Sequence, residues 1–194
     1  MNSKQRAAGS WPPANGFEAA LRRRNLLVEQ RYGQPERARH KAFRMDLSWV
    51  TGRIAVGGGI WNAENMAAVA RAGVTHIIDM QLEFDDTELA TPYGIEVLWN
   101  PIDDDFQPKP AEVFQRGVTF ALAALEKDEN KLLIHCAAGV HRAPMMTLAV
   151  LASMGWDLGK AMQLIETRRP AADFAEVYVS SVERFLEQRV EMER

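Results

Sequence analysis

The sequence predicts an α/β domain built on a central, largely parallel sheet of four or five strands flanked by helices, with an N-terminal helical extension. Three observations carry that expectation. Beyond about residue 53, short β-branched or apolar runs alternate with stretches of helical periodicity, the order of βαβ units. The 194 residues suit one domain, and 47% hydrophobic with 25% charged residues is an ordinary globular composition. Pro144–Met154 is apolar nearly all round, the pattern of a helix buried at the centre of such a domain.

Taken in order, residues 1–14 read as a frayed start, because Pro12-Pro13 prevents early helix. Asn15 can cap a helix with Phe17, Ala20, Leu21, Leu27 and Val28 on one stripe, ended by Gly33 and Pro35. A polar connector over residues 33–45 follows. Arg53–Val56 is a strand candidate closed by Gly57-Gly58-Gly59, strand-end punctuation that lacks the G-x-G-x-x-G spacing of a dinucleotide site. Asn62 can cap a helix through Ala72, with Met66, Val69 and Ala70 on one face and Gly73 past its end. Val74–Met80 and Ile95–Trp99 read as strands by β-branched and aromatic content. Pro110 suits the first position of a helix carrying Phe114, Val118, Ala121, Leu122 and Leu125. Leu132–His135 is a short apolar strand. Asp157 can cap a helix stopped before Pro170, and a last one runs from about Asp173, with Phe174, Tyr178, Val182 and Phe185 in register. The expected division is a basic extension with one helix over residues 1–44 and a domain over residues 45–194.

Charge is uneven along the chain. Residues 1–44 hold ten Lys/Arg against three Glu, whereas residues 45–194 hold thirteen Lys/Arg against twenty-three Asp/Glu. A basic segment on an acidic body can meet an anionic partner, fold back on the body, or simply be a solvated helix. No run of about 18 apolar residues exists, which excludes a transmembrane helix, and residues 1–13 have no apolar h-region of a secretory leader. A single cysteine excludes an internal disulfide and any Cys-pair zinc site, and it fits a reducing cytoplasm.

The chemistry concentrates in Leu132–Pro144, L-L-I-H-C-A-A-G-V-H-R-A-P. Cys136 stands at the end of an apolar strand, six residues before a helix, with Ala137, Ala138, Gly139, Val140 and His141 between it and Arg142. Such a loop can turn successive backbone N–H groups inward as an anion-binding nest at a helix N-terminus. The same positive field lowers a thiol pKa, and a guanidinium can hold two phosphoryl oxygens bidentately. Nucleophile, oxyanion cradle and planar cation in one loop suit phosphoryl transfer through cysteine.

His135-Cys136-x-x-Gly139-x-x-Arg142 resembles the H-C-x-x-G-x-x-R signature of the protein tyrosine phosphatase superfamily, a coincidence of order ~10⁻⁴ from average composition. The resemblance, to the compact dual-specificity branch, extends over roughly residues 46–190. It implies a single cysteine-phosphatase-type domain in which Cys136 is the nucleophile and Arg142 binds phosphate with the loop residues Ala137, Ala138, Gly139, Val140 and His141. It also implies that His135 hydrogen-bonds the loop and keeps the thiol acidic. The strand, acid loop and helix of the family resemble Gly94–Leu98, Asn100–Asp105 and the segment from Pro110. The family's pattern selects Asp104 as general acid, with Asp103 and Asp105 as fallbacks. Ile165–Pro170 is similar to the arginine-proline stop that follows the signature. No metal or organic cofactor is implied. Substrates would be a phosphorylated protein or a small phosphoester, in the cytoplasm. By residue type alone, His141 is expected to face solvent.

One departure stands out. Ala143 occupies the position after the arginine, where the family usually carries the Ser or Thr that assists departure of the cysteine thiolate. Thr147, one helical turn on, is not expected to replace it. The expectation is a slow second step; the alternative is a phosphate-binding module without turnover. The loop also lacks the lysines of superfamily loops built for highly phosphorylated inositol lipids. Asp103-x-Asp105 as a magnesium-dependent aspartyl phosphatase motif lacks the hydroxylated residues that normally follow, and leaves the cysteine loop unexplained. Rhodanese-like phosphatases need no upstream acid loop. Arsenate reductases and low-molecular-weight phosphatases carry their motif near the N-terminus. A lone thiolate is also open to peroxide, with no second cysteine to protect it.

Overall fold

A computed structural model describes residues 45–192 of the chain. The helix expected after Asn15, and the extension over residues 1–44, lie outside them. Five strands form one sheet: β1 (Leu47–Trp49), β2 (Ile54–Gly57), β3 (His76–Asp79), β4 (Glu96–Trp99) and β5 (Leu132–His135). Their order is β1-β2-β5-β3-β4; β1 runs antiparallel to β2 and the other three pairings are parallel.

The strands read as continuous apolar runs because both faces are covered. Their side chains alternate between two cores. Ile54, Val56, Ile78, Leu132 and Ile134 join one core, which α3 (Ala111–Leu125), α4 (Arg142–Ser153), α5 (Leu158–Arg168) and α6 (Glu176–Met192) fill with Phe114, Val118, Met146, Leu148, Ile165 and Val182. Ala55, Ile77 and Leu133 turn the other way, onto Met66 and Val69 of α1 (Ala63–Arg71). Every residue of α4 from Arg142 to Leu151 is buried, as its all-round apolar pattern predicts.

Caps fall where expected. The Asn62 side chain accepts the Asn65 N–H (2.9 Å), and Asp157 accepts that of Lys160 (3.0 Å). Gly73 follows α1 with φ +82°. Pro110 is the N-cap of α3 rather than its first residue, and α6 starts at Glu176 rather than Asp173. The expected strands at 74–80 and 95–99 are shorter, and the one at 53–56 lies one residue later. Two elements had no sequence signal: β1, and the short α2 (Thr87–Ala90) with the 3₁₀ turn Thr91–Tyr93 behind it. At three and four residues, β1 and α2 are too short for periodicity to show.

This topology puts β5 at the centre, so the C-terminal ends of β2, β3, β4 and β5 gather their following loops at one edge, the crevice where open parallel sheets bind ligands. No helix among the described residues is long and apolar enough to cross a membrane.

Candidate active site

β5 ends at His135 and delivers Cys136, 1% exposed, to the floor of a loop that closes into α4. The loop's carbonyls are held from outside. Gly59 N–H bonds Ala137 O (3.0 Å), Arg169 Nη2 bonds Ala138 O (3.1 Å), Arg169 Nε bonds Gly139 O (2.6 Å), and Asp173 N–H bonds Val140 O (2.8 Å). Across trans peptides the N–H of the next residue points the opposite way. The amides of Ala138, Gly139, Val140 and His141 therefore face the concave side, and the Gly139 N–H reaches Cys136 Sγ at 3.2 Å. Gly139 has φ +65°, and a Cβ there would meet Gly57 O at 2.5 Å and the Arg169 guanidinium. Only glycine suits that turn.

Arg142, 3% exposed, is aimed by its outer edge. Glu83 grips it bidentately (Nη1–Oε2 2.9 Å, Nη2–Oε1 2.8 Å), and Nη1 also donates to Ile102 O at 3.1 Å. The Nε–H makes no hydrogen bond among the described residues, so the Nε/Nη2 side of the fork is the one left for an anion. Burial opposes the guanidinium's charge, but Glu83 and the fields of Cys136 and Asp104 more than offset it, raising its pKa above the ordinary value. In return, the hydrogen bond from Arg142 holds the Glu83 carboxyl down at about 2.

The three aspartates have separate surroundings. Asp103 is exposed and accepts the Asp104 N–H (2.8 Å); Asp105 pairs with Lys109, which holds its carboxyl below the usual range. Asp104 alone of the three approaches the cysteine loop, with Oδ2 3.7 Å from Arg142 Nε and 3.2 Å from His141 Nδ1. Its Oδ1 accepts the Tyr178 hydroxyl at 3.0 Å. Burial pushes that phenol up to about 12, so it stays a donor. His141 is not directed to solvent as residue type suggested: it sits between Asp104 and Asp173, edge-on to the Phe106 ring.

His135 is fully buried but makes no hydrogen bond to the loop, against expectation. Its Nε2 lies 3.1 Å from Asp86 Oδ2 and 3.6 Å from Asp79 Oδ1, both carboxylates buried behind the sheet ends. Burial pushes the Asp79 carboxyl up to about 7. With donor atoms within 4.8 Å of one another, Asp79, Asp86 and His135 are the grouping among the described residues that could hold a metal.

Ala143 is fully buried and its side chain has no donor, and the Thr147 hydroxyl donates back to Ala143 O (2.8 Å). Sequence reasoning missed Glu83, Asp173 and Tyr178 as site residues, and saw Arg169 only as part of a helix stop. Each contacts the site across a long separation, 59 residues for Glu83–Arg142 and 74 for Tyr178–Asp104, which no local pattern encodes. Trp61, Leu82, Phe84 and Phe106 are exposed, on the loops that follow β2, β3 and β4.

Comparison with known proteins identifies the family and the fold. The family described as dual specificity phosphatase, catalytic domain, matches residues 60–186. The mouse (Mus musculus) protein phosphatase Slingshot homolog 3 is 31% identical over 116 residues, 58% of this chain and 17% of its own. The protein-tyrosine-phosphatase IBR5 of Arabidopsis thaliana is 33% identical over 73 residues, 37% of this chain and 28% of its own. The chain thus spans between about a sixth and about a quarter of the length of these curated relatives. Among solved structures, that of PTPMT1 in complex with PI(5)P superposes with TM-score 0.68 at 17% identity, covering 77% of this chain and 99% of that one. Tk-PTP in the active form gives 0.63 at 24% identity, covering 74% and 97%. At these identities the structural likeness speaks for the fold.

Proposed function

The chain belongs to the dual specificity phosphatase catalytic-domain family, and on that premise we propose that it is a cysteine-dependent phosphomonoester hydrolase. The observation that carries the proposal is the cradle itself: a loop with outward-held carbonyls, a buried thiol beneath it and a guanidinium offering its inner edge. Sγ of Cys136 attacks phosphorus as a thiolate while the P–O bond to the leaving group breaks. The loop amides and Arg142 carry the charge on the equatorial oxygens. Asp104 donates its proton to the leaving oxygen, then takes one from the water that attacks the cysteinyl phosphate; the P–S bond breaks and the thiolate returns. Arg142 and the amides supply the electrostatic stabilisation, so the scheme calls for no cofactor.

A reduced lone thiol suits the cytoplasm, and the substrate class is a phosphorylated protein or small phosphoester. Residues 1–44, as an extension of the catalytic domain over 45–194, offer ten basic residues to an anionic partner. The second reading, a phosphate-binding module without turnover, is favoured only by Ala143.

Release of p-nitrophenol from p-nitrophenyl phosphate in EDTA separates the two. Turnover in the wild type that Cys136→Ser abolishes establishes the hydrolase. A folded wild type that binds vanadate but never turns over makes the chain a binding module.

A further inference from the structure

We propose that His141 and Asp173 form a clasp that positions Asp104 for proton transfer, with Tyr178 as the opposing jaw; the inference rests on the phosphatase reading above. Three segments converge on one carboxyl group. The cysteine loop brings His141, whose Nδ1 lies 3.2 Å from Asp104 Oδ2. The segment before α6 brings Asp173, whose Oδ2 lies 3.3 Å from the other ring nitrogen, Nε2. Helix α6 brings Tyr178, bonded to Asp104 Oδ1 at 3.0 Å.

The donor roles follow from the partners. The Tyr178 oxygen accepts the Phe106 N–H at 2.9 Å, so its own hydrogen is free for Asp104. Asp173 Oδ2, which only accepts, takes the Nε2–H of the His141 ring, and the Nδ1 of that tautomer is left to accept the O–H of Asp104, the proton the acid delivers. The charged groups facing that ring are Asp104 and Asp173; Arg142, next in sequence, puts its Nε 3.7 Å from the same Asp104 oxygen.

The backbone of the acid loop is held by the same residues. Phe106, with φ +56°, adopts a left-handed conformation costly for an aromatic residue, and it is kept there by its bond to the Tyr178 oxygen. Its ring stacks on Tyr178 at 5.7 Å and takes His141 edge-on at 5.0 Å. A proton donor misplaced by about 1 Å loses about a hundredfold in rate, so a clasp on both carboxyl oxygens has a direct kinetic value. His141 and Tyr178 touch the acid rather than the reacting atoms and are positioning residues.

The test compares kcat/KM, which reports only the steps through formation of the cysteinyl phosphate, for p-nitrophenyl phosphate, whose leaving group departs without a proton, and for phenyl phosphate, whose leaving group needs one. Asp104→Asn is expected to depress kcat/KM for phenyl phosphate selectively. Asp173→Asn, His141→Asn and Tyr178→Phe should reproduce that selectivity at about tenfold, and should cost nothing further when added to Asp104→Asn. Asp173→Asn keeps the backbone bond to Val140, so its vanadate affinity should stay within about twofold of wild type, which a general collapse of the loop would not allow. Equal losses on both substrates, no loss, or losses that persist in the Asp104→Asn background overturn the clasp alone. Unchanged turnover in Cys136→Ser overturns the phosphatase reading, and a non-selective Asp104→Asn overturns the acid assignment and the clasp with it.

Discussion

When the P–S bond of a cysteinyl phosphate breaks, the departing sulfur takes on negative charge and needs donors within hydrogen-bond reach. Here the Gly139 N–H supplies one at 3.2 Å, while the side chain of Ala143 supplies none and Thr147 spends its hydroxyl on a helix carbonyl. A missing bond to a developing anion costs roughly 1.5–3 kcal/mol, about ten- to a hundredfold in that step. Rapid-mix assays on wild type should therefore show a burst of nitrophenol close to the enzyme concentration, followed by slow turnover. Ala143→Ser should remove the burst and raise the steady rate by about that factor; wild-type turnover without any burst contradicts the expectation. Residues tied to the signature were legible from sequence because a strand–loop–helix turn fixes their spacing. Glu83 was not, because nothing near it in the chain distinguishes a glutamate that will meet Arg142 from any solvated one.

At the scale of elements, the cysteine loop is a structure imposed from outside by β2, Arg169 and the segment before α6. Gly139→Ala adds a Cβ 2.5 Å from Gly57 O at φ +65°, a conformation that costs an L-residue about 1–2 kcal/mol before any clash. We expect turnover to fall at least about a hundredfold while the thermal midpoint drops only about 2–8 °C. Wild-type activity in that variant would show that the loop tolerates another path. The same scale explains what could be read of the fold. β5 matched end to end because four consecutive fully buried residues leave an unbroken apolar run; the helix expected over Pro144–Met154 was found as α4 because burial all round leaves no polar face, but it starts two residues earlier, at Arg142, and ends at Ser153. β1 escaped notice because its half-buried Leu-Ser-Trp depends on pairing with β2 for its identity as a strand.

For the molecule as a whole, the buried group of Asp79, Asp86 and His135 couples stability to pH. Asp79 rises from an ordinary 3.8 to about 7, chiefly by burial. An acid whose folded pKa lies above its unfolded one binds its proton more tightly when folded, so its contribution to stability is greatest below about 4 and declines until about 7. Asp79→Asn keeps an oxygen to accept the Gln81 N–H, which Asp79 Oδ1 takes at 2.8 Å, and has no charge to bury. Its thermal midpoint relative to wild type should climb by several degrees between pH 4 and pH 7 and then level off. A constant difference across that window would mean that Asp79 titrates normally.

Arg169 ties the chain together in time as well as in space. It reaches back to Asp46 across 123 residues and to Ala138 across 31, so neither end of that bridge suffices alone. The nucleophile's motif leaves the ribosome well before the residues that shape it, and contacts of such separation form late in folding. A nascent chain, or a fragment cut after the motif, carries every letter of the signature but lacks Arg169 and Asp173, which hold the carbonyls of Ala138, Gly139 and Val140. Arming the thiol thus depends on residues made after the nucleophile itself, Arg169 and Asp173.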